Sequence, residues 1–349
     1  MSAERRLTYS QAIHEALAQE MARDPAVFVM GQGVDDFKGC YGTTRDLARD
    51  FPGRCFDTPL SEEGMTGVAI GAAMVGMRPV HTHIRMDFVL LAVNQLLNIA
   101  AKARYMYGGA VSVPLVVRGV IGRSWGQGAQ HSQACYPIFM HTPGIKVVAP
   151  TTPYDAKGLM IQAIRDDDPV LFVEHRMLHF QRGHVPEESF AVPFGRARVL
   201  AEGHHLTLVA ISHMAVEAMR AAALLAAQGI SAEVIDPVTL APLDLDTIVA
   251  SARRTGHLLV VDHDWTFAGA AAEVIAGVVE RLGAEAGAVR MQRMGLAPVT
   301  CPTAPNLERL FYPNPQSIAA AAFSLVGGGG SWTPEWMDAP EIVEFKGPF

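Results

Sequence analysis

Lys146-Val147-Val148-Ala149-Pro150 and Pro169-Val170-Leu171-Phe172-Val173-Glu174 are apolar runs of strand length, separated by the helical stretch Asp155–Arg165. A strand with one wet face alternates polar and apolar residues, whereas a continuous apolar run is covered on both faces. This unit predicts parallel strands joined through a helix, within a sheet that carries helices on both sides. The pattern extends upstream. Helix Tyr9–Met21 precedes strand Ala26–Gly31, helix Ser61–Met77 precedes strand Pro79–His83, and helix Phe88–Ala103 precedes strand Val113–Arg118. Leu90, Leu91, Val93, Leu96, Leu97 and Ala100 form the apolar side of that last helix, and residues 34–56 read as irregular. Residues 176–198 are polar and proline-bearing, as a linker is. Beyond it, strands Leu206–Ile211, Ala232–Asp236 and Leu258–Asp262 alternate with helices Val216–Gln228, Asp246–Arg253 and Gly269–Leu282. The expectation is an α/β chain of two doubly wound domains, residues 1–190 and 191–326. A glycine-rich joint and tail, 327–349, follows; Trp332, Trp336 and Phe345 predict that it docks on this chain or on a partner.

Composition narrows the function. Half of the 349 residues are hydrophobic and 18% are charged, with a net charge of −7 and no dense basic run, which argues against nucleic acid or an anionic membrane as a partner. The longest apolar run, Met65–Met77, is too short and too rich in glycine to span a bilayer, and no secretory signal is visible at the amino end. Cys40, Cys55, Cys135 and Cys301 are far apart without CxxC spacing, so neither a zinc site nor a disulfide framework is indicated and a cytoplasmic setting is expected.

Ligands of parallel sheets bind beyond the carboxyl ends of the strands. Three segments fall there: Asp57–Glu62, His83–Phe88 and Gly119–Gln133. Glu62 starts a helix whose next residues are small or apolar; burial there disfavours the charged carboxylate and suits it to sharing a proton. The alternative is that Ser61 caps the helix and that Glu62 and Glu63 merely favour its positive end. His131 lies in a glycine- and glutamine-rich loop; an imidazole there could move protons or simply brace the loop. Gly31-Gln32-Gly33-Val34-Asp35-Asp36 lacks the third glycine of a dinucleotide fingerprint, and there is no P-loop.

Taken together, Asp57-Thr58-Pro59-Leu60-Ser61-Glu62, Gly71-Ala72-Ala73-Met74 with Arg78-Pro79, Ala129-Gln130-His131-Ser132-Gln133, Pro143–Val148, Asp155–Leu159 and Ala163–Pro169 occur in the order of one family. Over roughly residues 5–325 the chain resembles the β subunit of the thiamine diphosphate-dependent E1 component of 2-oxo acid dehydrogenases, of the pyruvate and branched-chain type. The resemblance implies a transketolase-like pyrimidine-binding domain followed by a transketolase C-terminal domain. It implies that Glu62 bonds the aminopyrimidine and activates the cofactor, that Phe88 and Ile84 contact that ring, and that His131 serves the adduct and the acyl acceptor. It also implies a potassium site around Leu115, Ala163, Asp166 and Asp168. The chain has no Gly-Asp-Gly to hold Mg²⁺ and diphosphate, so the resemblance implies an α subunit carrying that half, an α2β2 assembly, and a lipoyl-bearing E2 partner.

Several residues depart from the family pattern. Thr82 replaces a glutamate, Pro237 replaces an arginine, and Asp262-His263-Asp264 replaces a glutamate-led turn. Arg85, Arg123 and Gln130 near the pocket are candidate substrate contacts, the arginines through bidentate bonds to a carboxylate or phosphate; pairing with Asp87 or contact with the α subunit is the alternative. Three functions follow: an E1 β subunit passing an acyl group to lipoamide, a two-chain carboligase passing it to an aldehyde or ketone, or a non-catalytic subunit.

Overall fold

The computed structural model describes residues 5–122, 126–327, 332–335 and 337. These form two compact units: residues 5–122 with 133–194, and residues 126–132 with 195–327, 332–335 and 337.

In the first unit, β1 (Val27–Gly31), β2 (Cys55–Asp57), β3 (Arg78–His83), β4 (Val116–Ile121), β5 (Lys146–Val148) and β6 (Val170–His175) lie in the order β5-β6-β4-β3-β1-β2, every pair parallel. β1, β4 and β6 are buried along their whole length, as continuous apolar runs require. Helix Tyr9–Arg23 starts at a capping box between Thr8 and Gln11, and helix Pro153–Arg165 at Thr152, whose hydroxyl accepts from the Asp155 N–H.

Two expectations need correction here. The helix expected over Phe88–Ala103 starts at Met86 and is not regular: an α turn, Met86–Val89, leads into 3₁₀ turn Leu90–Ala92, π turn Gln95–Ala100 and α turn Ala101–Met106. These changes of pitch break the single 3.6-residue period, so Leu96 and Ala100 are buried while Leu91 stays 59% exposed. The helix expected to reach Met77 is Glu62–Met74; Val75 leaves helical geometry and Gly76 turns the chain at φ 97°.

The second unit carries β7 (Arg198–Ala201), β8 (Leu206–Ala210), β9 (Ala232–Asp236), β10 (His257–Trp265) and β11 (Arg290–Leu296) in the order β11-β10-β8-β9-β7, parallel except for the antiparallel β7. Helices His213–Ala226 and Pro315–Leu325 cover one face; Leu245–Thr255 and Ala270–Leu282 cover the other. Both edge strands and helix Pro315–Leu325 are additions to the sequence-based expectation. Trp332 packs tilted against Phe323 with ring centroids 5.0 Å apart, so this part of the tail docks on its own chain; Trp336 and Phe345 lie outside the described residues.

Candidate active site

The carboxyl ends of β1, β2 and β3 form a cradle lined with glycine. A Cβ at Gly31 would stand 2.2 Å from the Thr82 carbonyl oxygen, and Gly33, beside the Ile84 side chain, turns the chain at φ 65°. Between them Gln32 donates from Nε2 to Glu62 Oε1 at 2.9 Å. Asp57 braces the same loop by accepting from the N–H groups of Gly33, Val34 and Asp35 at 3.2, 2.7 and 3.2 Å. Glu62 is therefore a half-buried carboxyl oriented by an amide at a sheet end. Ser61 occupies the N-cap position, but its side chain makes no capping hydrogen bond, which removes that part of the alternative reading. Glu63 is exposed and accepts from Gln95 at 3.1 Å. Ile84 and Phe88, both half-buried, follow β3 at the same end.

Arg85 is 2% exposed and reaches the Gly122 carbonyl oxygen at 3.5 Å, while Asp87 accepts from Gln133 Nε2 at 2.9 Å and from the Gln133 N–H at 3.2 Å. Burial raises the Asp87 carboxyl, and the bonds from Gln133, with the nearby charge of Arg85, oppose it. The charge of Arg85 thus acts on Asp87. Arg123 lies outside the described residues.

Alternation along β3 sends Thr82 to one face and His81 and His83 to the other. On the Thr82 side Arg118 and Glu174, both fully buried, pair at 2.6 and 3.0 Å. Arg118 also donates to Thr43 Oγ1 at 2.7 Å, and His179 Nε2 lies 3.2 Å from Glu174. Burial alone would raise the Glu174 carboxyl, but attraction to Arg118 and the bond from His179 hold it down at about 2. On the other side the His81 and His83 rings meet edge to face at 4.3 Å, and neither ring completes a hydrogen bond, although the Met30 carbonyl is near His81. Burial lowers His81 to about 4 and His83 well below its ordinary value.

His131 and Gln130 belong to the second unit, His131 half-buried and Gln130 exposed. Gly128 precedes them at φ 71°, and its carbonyl oxygen accepts from the His131 N–H at 3.5 Å.

Of the expected potassium ligands, Asp166 and Asp168 are ion-paired, and the Leu115 and Ala163 carbonyls each accept one hydrogen bond. Lys146 Nζ binds Asp166 at 2.8 Å and Asp168 at 3.1 Å, and Arg104 binds Asp168 at 2.5 Å. Burial would raise the Asp168 carboxyl, yet the bonds from Lys146 and Arg104 take it below its usual value. The Leu115 carbonyl accepts from Val170 N at 2.9 Å and the Ala163 carbonyl from Asp166 N at 3.3 Å. Two carboxylates already neutralised by cations are a poor donor set for another one. Among the described residues no group of three or more His, Cys, Asp or Glu side chains is arranged to hold a metal.

Sequence reasoning missed Gln32, although Gly-Gln-Gly directly after a strand marks a place where backbone crowds and one side chain is presented. It also missed the Arg118–Glu174 pair, which no local pattern announces.

The transketolase pyrimidine-binding domain family matches residues 5–180, and the transketolase C-terminal domain family matches 195–318. The β subunit of acetoin:2,6-dichlorophenolindophenol oxidoreductase from Cupriavidus necator is 43% identical over 336 residues, 93% of this chain and 99% of the relative. The pyruvate dehydrogenase E1 β subunit of Rickettsia bellii is 40% identical, covering 90% and 97%. A split-gene transketolase solved as an inactive β4 tetramer superposes with a TM-score of 0.73 at 23% identity, over 92% of this chain and 98% of that one; a transketolase from Leishmania mexicana does so at 0.68 and 17%, over 93% and 46%.

Proposed function

The chain belongs to the β-subunit family of thiamine diphosphate-dependent 2-oxo acid dehydrogenase E1 components, and from that membership we propose that it decarboxylates a small 2-oxo acid and passes the acyl group to lipoamide. The observation that carries the proposal is Glu62, oriented by Gln32 at the carboxyl end of a parallel sheet. An aminopyrimidine needs one carboxyl partner for a ring nitrogen and apolar walls; Glu62 with Ile84 and Phe88 is a set of that kind. Thiamine diphosphate, when bound, supplies the electron sink for breaking the bond beside the carbonyl. Glu62 would hold and return a proton at its carboxyl, Gln32 would fix that carboxyl's orientation, and His131 would move a proton at the acceptor. Arg85 and Gln130, with Arg123, are the candidate substrate contacts.

Mg²⁺ and the diphosphate are assigned to an α subunit in an α2β2 assembly, with a lipoyl-bearing E2 as acceptor. Support for a partner comes from helix Glu62–Met74, where a Cβ at Gly67 or Gly71 would touch nothing within 4 Å, while Val68 and Val75 are 57% and 81% exposed. Any potassium would be held by backbone carbonyls rather than by Asp166 and Asp168. No single helix among the described residues is long and apolar enough to cross a membrane.

The similarity to the Cupriavidus necator oxidoreductase favours a second reading, cleavage of an α-hydroxyketone of the acetoin type. Both readings are tested by assembling the chain with its α subunit and supplying pyruvate, branched-chain 2-oxo acids or acetoin to a free lipoyl domain. Acylation from a 2-oxo acid supports the first and acylation from acetoin the second. Product from an aldehyde acceptor without lipoyl acylation replaces both with a carboligase.

A further inference from the structure

The His131 segment is held by the second unit at one small seat. Gly126 and Gly128 both sit at φ 71°, and both face Thr303: a Cβ at Gly126 would stand 2.4 Å from the Thr303 carbonyl oxygen, and one at Gly128 would stand 2.7 Å from Thr303 Cγ2. Both glycines are thus required twice, once by backbone conformation and once by the closeness of Thr303. A turn, Gly128 O accepting from His131 N, links the seat to His131.

Thr303 itself is presented from a firm base. Cys301, two residues earlier, is 6% exposed and its Sγ lies 3.5 Å from the Tyr312 hydroxyl. Tyr312 stacks on His263 at 5.2 Å and packs edge to face on Phe311 at 4.9 Å. Trp265 Nε1 donates to the carbonyls of Ala297 and Val299 at 3.0 and 3.1 Å, tying down the chain that leads to Cys301.

We infer that Thr303 is a positioning residue for His131, acting by filling the space that Gly126 and Gly128 leave open. Contact with the reacting atoms is not part of its role, and the inference rests on the assignment of His131 made above. The seat sets where the imidazole stands, and a displacement of about 1 Å in a proton-transferring group costs on the order of a hundredfold in rate.

The test uses the assembled αβ enzyme with Gly128→Ala, Thr303→Gly and the two combined. Two things are measured: amide exchange over residues 129–132, and kcat against KM for lipoyl acylation beside dye-linked decarboxylation. In Gly128→Ala exchange should accelerate, and kcat for acylation should fall roughly ten- to a hundredfold while KM for the 2-oxo acid stays within about twofold. Thr303→Gly alone, which empties the seat, should also speed exchange and lower kcat for acylation, though less than Gly128→Ala does; unchanged exchange there overturns the positioning role. Added to Gly128→Ala, it removes the Cγ2 that the new methyl meets and should restore part of both, the strain at φ 71° remaining. Exchange unchanged in Gly128→Ala, or faster but not relieved by Thr303→Gly, overturns the seat, because strain at φ 71° alone would not respond to Thr303. Faster exchange relieved by Thr303→Gly with unchanged kcat upholds the seat and overturns instead the role given to His131.

Discussion

Glu174→Gln should be the most damaging conservative change in the first unit. The substitution keeps the shape of the side chain and removes its charge, leaving Arg118 fully buried without a counter-ion. Glu174 now accepts from Arg118 Nε at 2.6 Å and Nη2 at 3.0 Å, with His179 Nε2 at 3.2 Å. A glutamine offers one acceptor oxygen and turns an NH2 toward one of those nitrogens, so at least one contact becomes donor against donor. Thr43, at 2.7 Å, cannot supply the missing charge. Breaking one partner of a buried ion pair costs about 3–5 kcal/mol, more than the 1.5–3 of one charge-assisted bond. With a urea slope of about 2 kcal/mol per molar, the midpoint of the first unit's transition should fall by about 2 M. The second unit's transition should not move. Glu174 is held low in the folded state, so its contribution is full above the ordinary carboxylate range and disappears as pH falls toward 2. The gap between wild type and variant should therefore narrow between about pH 4.5 and 2. Combining Glu174→Leu with Arg118→Met should recover most of the loss. A midpoint shift below about 0.5 M, or a double variant no better than Glu174→Gln, would refute the account.

Glu62→Gln in the assembled enzyme should lower turnover by about 10²–10⁴ with thermal stability unchanged, while Glu63→Gln changes it less than about twofold; steady-state assays with both variants decide this. His81 is depressed to about 4, so the folded state resists its protonation and stability should fall as pH drops from about 6.5 to 4, by up to about 3 kcal/mol, a slope that His81→Phe should flatten in pH-resolved denaturation. Gly67→Ala and Gly71→Ala should each stabilise the isolated chain by about 0.5–1 kcal/mol, since each methyl meets open space, yet weaken co-elution with the α subunit on size-exclusion chromatography.

The central strands were legible because burial on both faces leaves a mark that needs no partner to be recognised: Val116–Ile121 and Val170–His175 are apolar along nearly their whole length. The edges were not. Arg290–Leu296 reads Arg-Met-Gln-Arg-Met-Gly-Leu and is covered only in part, so its composition resembles that of a loop. Arg198–Ala201 has the same difficulty. For the site, Glu62 stood out because a carboxylate beside apolar residues is locally anomalous. Gln32 and Glu174 did not, since a glutamine between glycines and a glutamate at a strand end are both ordinary until residues 30 and 56 positions away are brought to them. The irregular helix at Met86–Met106 was hidden because several pitches in succession produce no single period.

The clustering of residues 126–132 with the second unit constrains how such chains can recombine. A crossover placed in the linker near Gly195 would inherit the glycine segment from one parent and Cys301–Tyr312 from the other. Gly126 and Gly128 admit nothing larger, so a foreign residue at 303 would have to reproduce the volume and carbonyl path of threonine. Recombinants that carry both stretches from one parent should retain function, and those divided at the linker should be lost far more often than their overall identity would suggest. In this chain heredity at 126–132 is tied to heredity at 301–312, across a long interval of sequence that can vary on its own.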